Sequence, residues 1–238
     1  MKRAIIVQAR LGSIRLPHKI LEDICGQSML ERVMSRCQHS AFANDTILAI
    51  PDTPPDNITL RAYAVARGWN IAMGPEDDVL QRYLLAAVAY GVQIIARVGG
   101  DCPLIHPDII DLTFETQRIS NADYVTSMTA FPEGLDVEVF TTQALNRLAA
   151  LPLSPREREH VTTGFYVRRT LRFSVLQMVN LANPWQVHWS VDTPAALEHV
   201  RWLVQHVSPL SSWREILEVE KQWQQLSAGL ERSADNGF

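Results

Sequence analysis

The chain has 238 residues, of which 47% are hydrophobic and 20% charged, a balance that excludes both general disorder and a membrane-spanning protein. A net charge of -4 and a pI near 6.0 supply no global field for gathering nucleic acid, so any polyanion has to be met by a local basic cluster. Cys25, Cys37 and Cys102 are odd in number and show no CxxC spacing, which argues against a disulfide framework or a zinc site and fits a reduced, cytoplasmic protein.

Met1-Lys2-Arg3 followed by a short apolar run superficially resembles a signal peptide, but Gln8, Arg10 and Arg15 interrupt it too early, and Ala4–Val7 reads as a buried strand. Further strands are expected at Thr46–Ile50, Trp69–Ala72 and Ile94–Val98, with a weaker one at Asp123–Thr126. Such β-branched, apolar runs suit a parallel sheet covered on both faces. Between them, Ser28 and Glu31 form a capping-box signature ahead of Met29, Leu30, Val33 and Cys37 at helical spacing. Helices are also expected over Leu60–Arg67 and Val79–Tyr90, each ended by a glycine, and from Pro107 toward Ile119. The alternation predicts a doubly wound α/β sheet.

After about residue 130 the order becomes mixed. Strands are expected at Leu135–Phe140, Phe173–Val179 and Val187–Val191, helices at Thr142–Leu151, Arg156–Arg169 and from Pro194, and a polar helical stretch at the end. No repeat or clear linker divides the chain, so one domain is expected over 1–238. Residues to about 130 would form a nucleotide-binding half, about 131–205 a sugar-binding half, and about 206–238 a helical extension.

Ligands of open parallel sheets bind beyond the carboxyl ends of the strands, which directs attention to the segment after the first strand, Gln8-Ala9-Arg10-Leu11-Gly12-Ser13-Ile14-Arg15-Leu16-Pro17-His18-Lys19. Arg10, Arg15 and Lys19 can neutralise phosphates, and the amides of Gly12 and Ser13 can donate to them. A solvated basic loop has the same composition. Neither a Walker loop nor a dinucleotide fingerprint is present.

This run resembles the QARxGSxRLPxK signature of cytidylyltransferases, especially those of spore-coat polysaccharide synthesis, with the CMP-Kdo and CMP-sialic acid synthetases more distantly similar. The resemblance continues through Gly100-Asp101-Cys102-Pro103, Gly134-Leu135-Asp136-Val137-Glu138, Glu157-Arg158-Glu159-His160-Val161-Thr162 and Val191-Asp192-Thr193-Pro194, covering roughly residues 3 to 205. It implies a Rossmann-like nucleotide-diphospho-sugar transferase fold, a mostly parallel mixed sheet flanked by helices. It also implies transfer of CMP from CTP, or of another nucleotide from its triphosphate, to a small acidic or phosphorylated sugar acceptor, with neither nucleic acid nor membrane as partner. A homodimer is implied as well.

By the same resemblance Gln8, Ala9, Arg10, Gly12, Ser13, Arg15, Lys19 and Asp101 bind nucleotide, with Arg10, Lys19 and Asp101 catalytic. Asp101 and Asp192 would hold Mg2+, which favours one or two carboxylates plus phosphate oxygens and water. Each aspartate also suits a helix cap, Asp101 after its glycines and Asp192 before Thr193-Pro194. Asp136 and Glu138, two apart on an expected strand, would share a face and hold sugar hydroxyls, and Glu159 and His160 match a substrate motif. His160 equally suits a plain surface or core histidine. Two departures, Thr163-Gly164-Phe165 where the family continues with Pro-Tyr and Val98-Gly99 where a hydroxyl is usual, leave the acceptor open. Competing readings are a nucleotide-sugar glycosyltransferase, for which a DxD pair is missing around Asp101, and a sugar-nucleotide-binding protein without turnover. Pyrophosphate release separates nucleotidyl transfer from either of them.

Overall fold

The computed structural model describes residues 1–167, 173–180 and 187–235. The elements follow in chain order: β1 (Arg3–Gln8), a short antiparallel hairpin of β2 (Asp23–Ile24) and β3 (Gln27–Ser28), α1 (Met29–Cys37), β4 (Asp45–Pro51), α2 (Asp56–Val65), β5 (Asn70–Gly74), α3 (Val79–Tyr90), β6 (Ile94–Gly99) and α4 (Pro107–Ser120). The second half contributes β7 (Tyr124–Thr129), β8 (Glu138–Thr141), α5 (Thr142–Ala149), α6 (Pro155–Glu159), α7 (Thr163–Val167), β9 (Val175–Val179), α8 (Pro194–Gln205) and α9 (Trp213–Asp235).

Among the described residues the main sheet has seven strands in the order β5-β4-β1-β6-β8-β7-β9. Neighbours pair in parallel except where β8 runs antiparallel to β6 and β7, so the sheet is mostly parallel and mixed, as expected. Successive side chains of a strand face opposite sides: Ile5 and Val7 enter one apolar layer, Ala4 and Ile6 the other. The chain leaves β1 toward β4 and β5, then returns to place β6 on the other flank of β1. The carboxyl ends of β1 and β6 therefore border the point where the winding reverses, the place where such sheets hold ligands.

The capping box forms as expected: the Ser28 hydroxyl accepts from the Glu31 amide at 3.1 Å and Glu31 Oε2 accepts from the Ser28 amide at 2.7 Å. Burial opposes ionisation of Glu31, but the Ser28 amide and Arg67 outweigh it and bring its pKa from 4.5 to about 2. A carboxyl whose folded pKa is depressed stabilises the fold fully above its unfolded value and loses that contribution as pH falls toward the folded one. In urea titrations Glu31→Gln should therefore be less stable than the parent at pH 7, and the difference should close between pH 4.5 and about 2. Ser28→Ala should cost about 1 kcal/mol at pH 7.

Four elements differ from the sequence-based expectation. The strand expected at Leu135–Phe140 begins only at Glu138. Gly134 adopts φ 92°, Asp136 Oδ1 accepts from its amide at 3.0 Å and the Leu135 amide donates to Pro132 O, a turn that occupies the first half of the segment. Asp136 thus precedes the strand instead of sharing a face of it with Glu138. The helix expected over Arg156–Arg169 breaks at Val161, whose φ is 53°, into α6 and α7, and 168–169 lie outside the described residues. Val187–Val191 makes a single parallel bridge, His188 with Glu133, instead of a strand. The helix expected at Leu60–Arg67 starts earlier, at Asp56.

Candidate active site

The loop after β1 is held from several sides. Ala9 donates its amide to Ala49 O at 3.1 Å, the Leu11 amide donates to Asp56 Oδ1 at 2.7 Å, and the His18 amide closes the loop on Leu11 O at 3.1 Å. The Ser13 amide is consumed by this folding, donating to Leu11 O at 2.8 Å, whereas no acceptor among the described residues pairs with the Gly12 amide. Next door, the Gly100 amide donates to Gln8 O at 2.8 Å, and a Cβ on Gly100 would stand 3.0 Å from that oxygen. Glycine lets the ends of β1 and β6 approach this closely, where a Cβ would press on that oxygen.

Lys19 lies in a 3-10 turn, Lys19–Leu21, and its ammonium gathers the site. Nζ donates to Asp101 Oδ2 at 2.6 Å, to Asp192 Oδ1 at 2.6 Å and to Val191 O at 2.9 Å. Arg15 Nη2 reaches the other oxygen of Asp192 at 2.6 Å. Burial works against the charged lysine, but the carboxylates of Asp101 and Asp192 outweigh it and hold Lys19 above its ordinary pKa. Asp192, disfavoured by burial yet paired with Lys19 and Arg15, is held below the usual carboxylate range.

The two aspartates arrive from distant segments. Asp101 follows β6. Asp192 is delivered by a stretch pinned through Trp189 N to Glu133 O at 2.8 Å and Val191 N to Asp101 O at 2.9 Å. A Cβ on Gly134 would stand 2.6 Å from Ser190 N, so this packing also requires glycine. Neither aspartate caps a helix. His106 is the N-cap of α4, and Thr193 caps α8, its hydroxyl accepting from the Ala196 amide at 3.2 Å. The capping roles considered from sequence are filled by neighbours.

These groups open on a cleft of about 360 Å³. Gln8, Ala9, Arg10, Ser13, Arg15, Lys19, Asp101, Glu159, His160 and Asp192 all line it, whereas Gly12, Asp136 and Glu138 do not. Glu159 and His160 come from the end of α6, which Arg158 ties to the start of α3 by donating to Asp78 Oδ2 at 2.8 Å, and Arg10 stands 3.7 Å from Glu159. Five cations face three carboxylates in the lining, the local basic cluster that an acidic chain needs for a polyanion.

Sequence reasoning passed over two of those cations. Arg82, on α3, is buried and donates to Pro75 O at 2.8 Å and Glu76 O at 2.8 Å. Arg97 sits in the middle of β6, its Nη1 on Glu138 and its Nε on Gln8 Oε1 at 3.1 Å. The available signal for Arg97 was a lone charge within the apolar run Ile94–Val98. Glu138 is 3% exposed, and its second oxygen accepts from the Tyr124 hydroxyl. Burial pushes Asp136 above the usual carboxylate range, its backbone hydrogen bond to Gly134 offsetting only part of this.

The chain matches the cytidylyltransferase family model over residues 4–200. It is 28% identical over 208 residues to the spore coat polysaccharide biosynthesis protein SpsF of Bacillus subtilis, covering 84% of this chain and 85% of that protein. Among solved structures, a cytidylyltransferase from Leptospira borgpetersenii superposes with a TM-score of 0.87 at 29% identity, over 94% of this chain and 96% of the other. A CMP:2-keto-3-deoxy-manno-octonic acid synthetase complexed with CTP shares the fold, with a TM-score of 0.68 at 20% identity over 87% and 99% of the two chains. With the basic loop after β1 brought against Asp101 and Asp192, and the family model spanning most of its length, the chain belongs to the cytidylyltransferase family of nucleotidyltransferases.

Proposed function

We propose that this protein transfers CMP from CTP to an acidic or phosphorylated sugar and releases pyrophosphate. The observation that carries this reading is the convergence of Lys19, Asp101 and Asp192 within a cleft that also presents Arg10 and Arg15. An acceptor oxygen attacks the α-phosphorus, the new O–P bond forms, and the bond from that phosphorus to the bridging β-phosphate oxygen breaks. Pyrophosphate leaves with the electron pair, and the acceptor's proton passes to the medium. Little covalent chemistry is asked of the protein: it positions the reactants and stabilises charge on the phosphates.

Arg10 and Arg15 stand where the triphosphate charge would collect, and Lys19, buried and fixed by Asp101, Asp192 and the Val191 carbonyl, offers a preorganised positive charge. Asp101 and Asp192 are the residues that would hold Mg2+. Two oxygens that each lie 2.6 Å from one ammonium form a compact anionic pair, and hard oxygen donors of this kind suit that ion. Bound there, the ion would supply neutralisation of phosphate charge. Glu159 and His160, which line the same cleft, are assigned to the acceptor by the family motif they belong to. Support for CTP over other triphosphates comes from the family match and from the CTP complex of the synthetase with the same fold.

The reading is tested by coupling pyrophosphate release to a panel of sugar acids and sugar phosphates with CTP, UTP, GTP or ATP and magnesium. CTP should give release with at least one acceptor at ten times the rate of any other triphosphate or more. Release that is faster with another triphosphate, or absent with every acceptor, overturns it.

A further inference from the structure

Arg97 occupies a position that a core strand would ordinarily give to an apolar side chain. Ile95, Ala96 and Val98 around it are buried, and placing a guanidinium among them costs desolvation that only firm pairing offsets. The pairing is there. Glu138, itself sealed from solvent, takes Nη1, and Gln8 Oε1 takes Nε at 3.1 Å. The Tyr124 hydroxyl braces the other oxygen of Glu138 and meets the Tyr166 hydroxyl in turn.

A purely structural ion pair would close on itself, and this one does not. Among the described residues no acceptor pairs with Arg97 Nη2, it is not sealed away as an unpaired buried atom, and Arg97 lines the cleft with its side chain 23% exposed. The neighbouring amide is left in the same condition. Gln8 Oε1 accepts from both Arg97 Nε and the Tyr83 hydroxyl, the latter at 3.2 Å, which assigns the Gln8 oxygen and leaves its Nε2 donor without an acceptor among the described residues. Two oriented donors thus remain where β1 and β6 meet the cleft, one from each strand. The triphosphate has other partners, Arg10, Arg15 and Lys19 on the β1 loop and the turn that closes it.

Resting on the reading of the site as a CMP-transfer centre, we propose that Arg97 and the Gln8 amide seat the anionic group of the sugar acceptor, a carboxylate or a phosphate ester, and that Glu138 acts through Arg97 as a positioning residue. Arg97 Nη2, charged, and Gln8 Nε2 beside it can each donate to one oxygen of such an anion. Glu138 has both oxygens engaged, so it fixes the direction in which Arg97 Nη2 points and leaves sugar hydroxyls to other groups.

The test measures binding of 3-deoxy-manno-octulosonate, its methyl ester and glucose 1-phosphate by calorimetry, in the presence of CTP and EDTA so that no turnover intervenes. The parent protein should bind the sugar acid or the sugar phosphate, the two arms telling carboxylate from phosphate, and should bind the ester at least tenfold more weakly than the acid if carboxylate is the group. Arg97→Lys keeps the charge but loses the fork. The double variant Arg97→Gln with Glu138→Gln keeps the buried pair neutral should the lysine variant fail to fold. Truncating one partner of a desolvated charge pair lowers affinity by about 30-fold or more, and that loss is expected for the anionic sugar alone, with CTP affinity within twofold. Glu138→Gln should raise the acceptor KM and leave the CTP KM unchanged, a split that a merely structural role would not produce. Undiminished anionic-sugar binding by the folded Arg97 variants, a parent protein that binds no anionic sugar, or a parallel fall in CTP affinity overturns the assignment. The last result leaves CMP transfer standing, whereas absence of pyrophosphate release from the parent overturns CMP transfer and is read separately from these affinities.

Discussion

Asp101→Asn is expected to slow pyrophosphate release by about a hundredfold or more, the usual loss when one preorganised charge group leaves a site of this kind. The carboxylate of Asp101 lies 2.6 Å from Lys19 Nζ and caps no helix, so the asparagine should leave the fold intact. Its effect should depend on magnesium, because a neutral amide is the poorer donor to that ion. Lys19→Met should behave differently. It takes away the cation shared by Asp101 and Asp192 and should weaken triphosphate binding with or without magnesium, while leaving two carboxylates facing each other. Rates, CTP affinity and unfolding free energy measured across a magnesium titration separate these roles. Near-full turnover of Asp101→Asn at every magnesium concentration would remove Asp101 from the metal site. If only Asp192→Asn keeps its rate, a site built on Asp101 alone survives.

The largest loss of stability is expected from Glu138→Ala. Glu138 is 3% exposed and paired with Arg97 and Tyr124, so truncation leaves a guanidinium in the middle of the sheet without its countercharge and takes one partner from the Tyr124 hydroxyl. Breaking a buried pair from one side costs about 3–5 kcal/mol, a large part of the roughly 5–15 kcal/mol that a domain has to spare. Replacing both members, Glu138→Leu with Arg97→Met, removes the desolvation cost along with the attraction and should recover most of that loss. Urea unfolding of the single and double variants measures it. Equal destabilisation by both would show that shape, and not charge, holds this region. Recovered stability with acceptor binding still absent would show that the pair is kept for recognition.

Features that depend on near neighbours in the chain were legible in the sequence. Continuous apolar, β-branched runs placed β1, β4, β5 and β6, helical spacing placed the helices between them, the Ser28–Glu31 cap marked the start of α1, and the run from Gln8 to Lys19 marked the basic loop. Those patterns are legible because each is set by contacts a few residues apart. The same locality explains the misses. Alternation made Asp136 and Glu138 one strand face, but Gly134 at φ 92° spends the first of them on a turn, and Val161 breaks an apparently continuous helical stretch by adopting a left-handed conformation.

The pairing of the site's charges comes from the long-range fold. Lys19 meets Asp101 across 82 residues and Asp192 across 173, and Arg97 meets Glu138 across 41. Only the order in which strands join the sheet, with β6 returning beside β1 and β8 inserted antiparallel next to it, sets those encounters. Local spacing could show Arg97 as a lone charge in an apolar strand. It could not show whether that charge was paired, because pairing depends on which distant carboxylate the sheet brings within reach and on how little water remains between them.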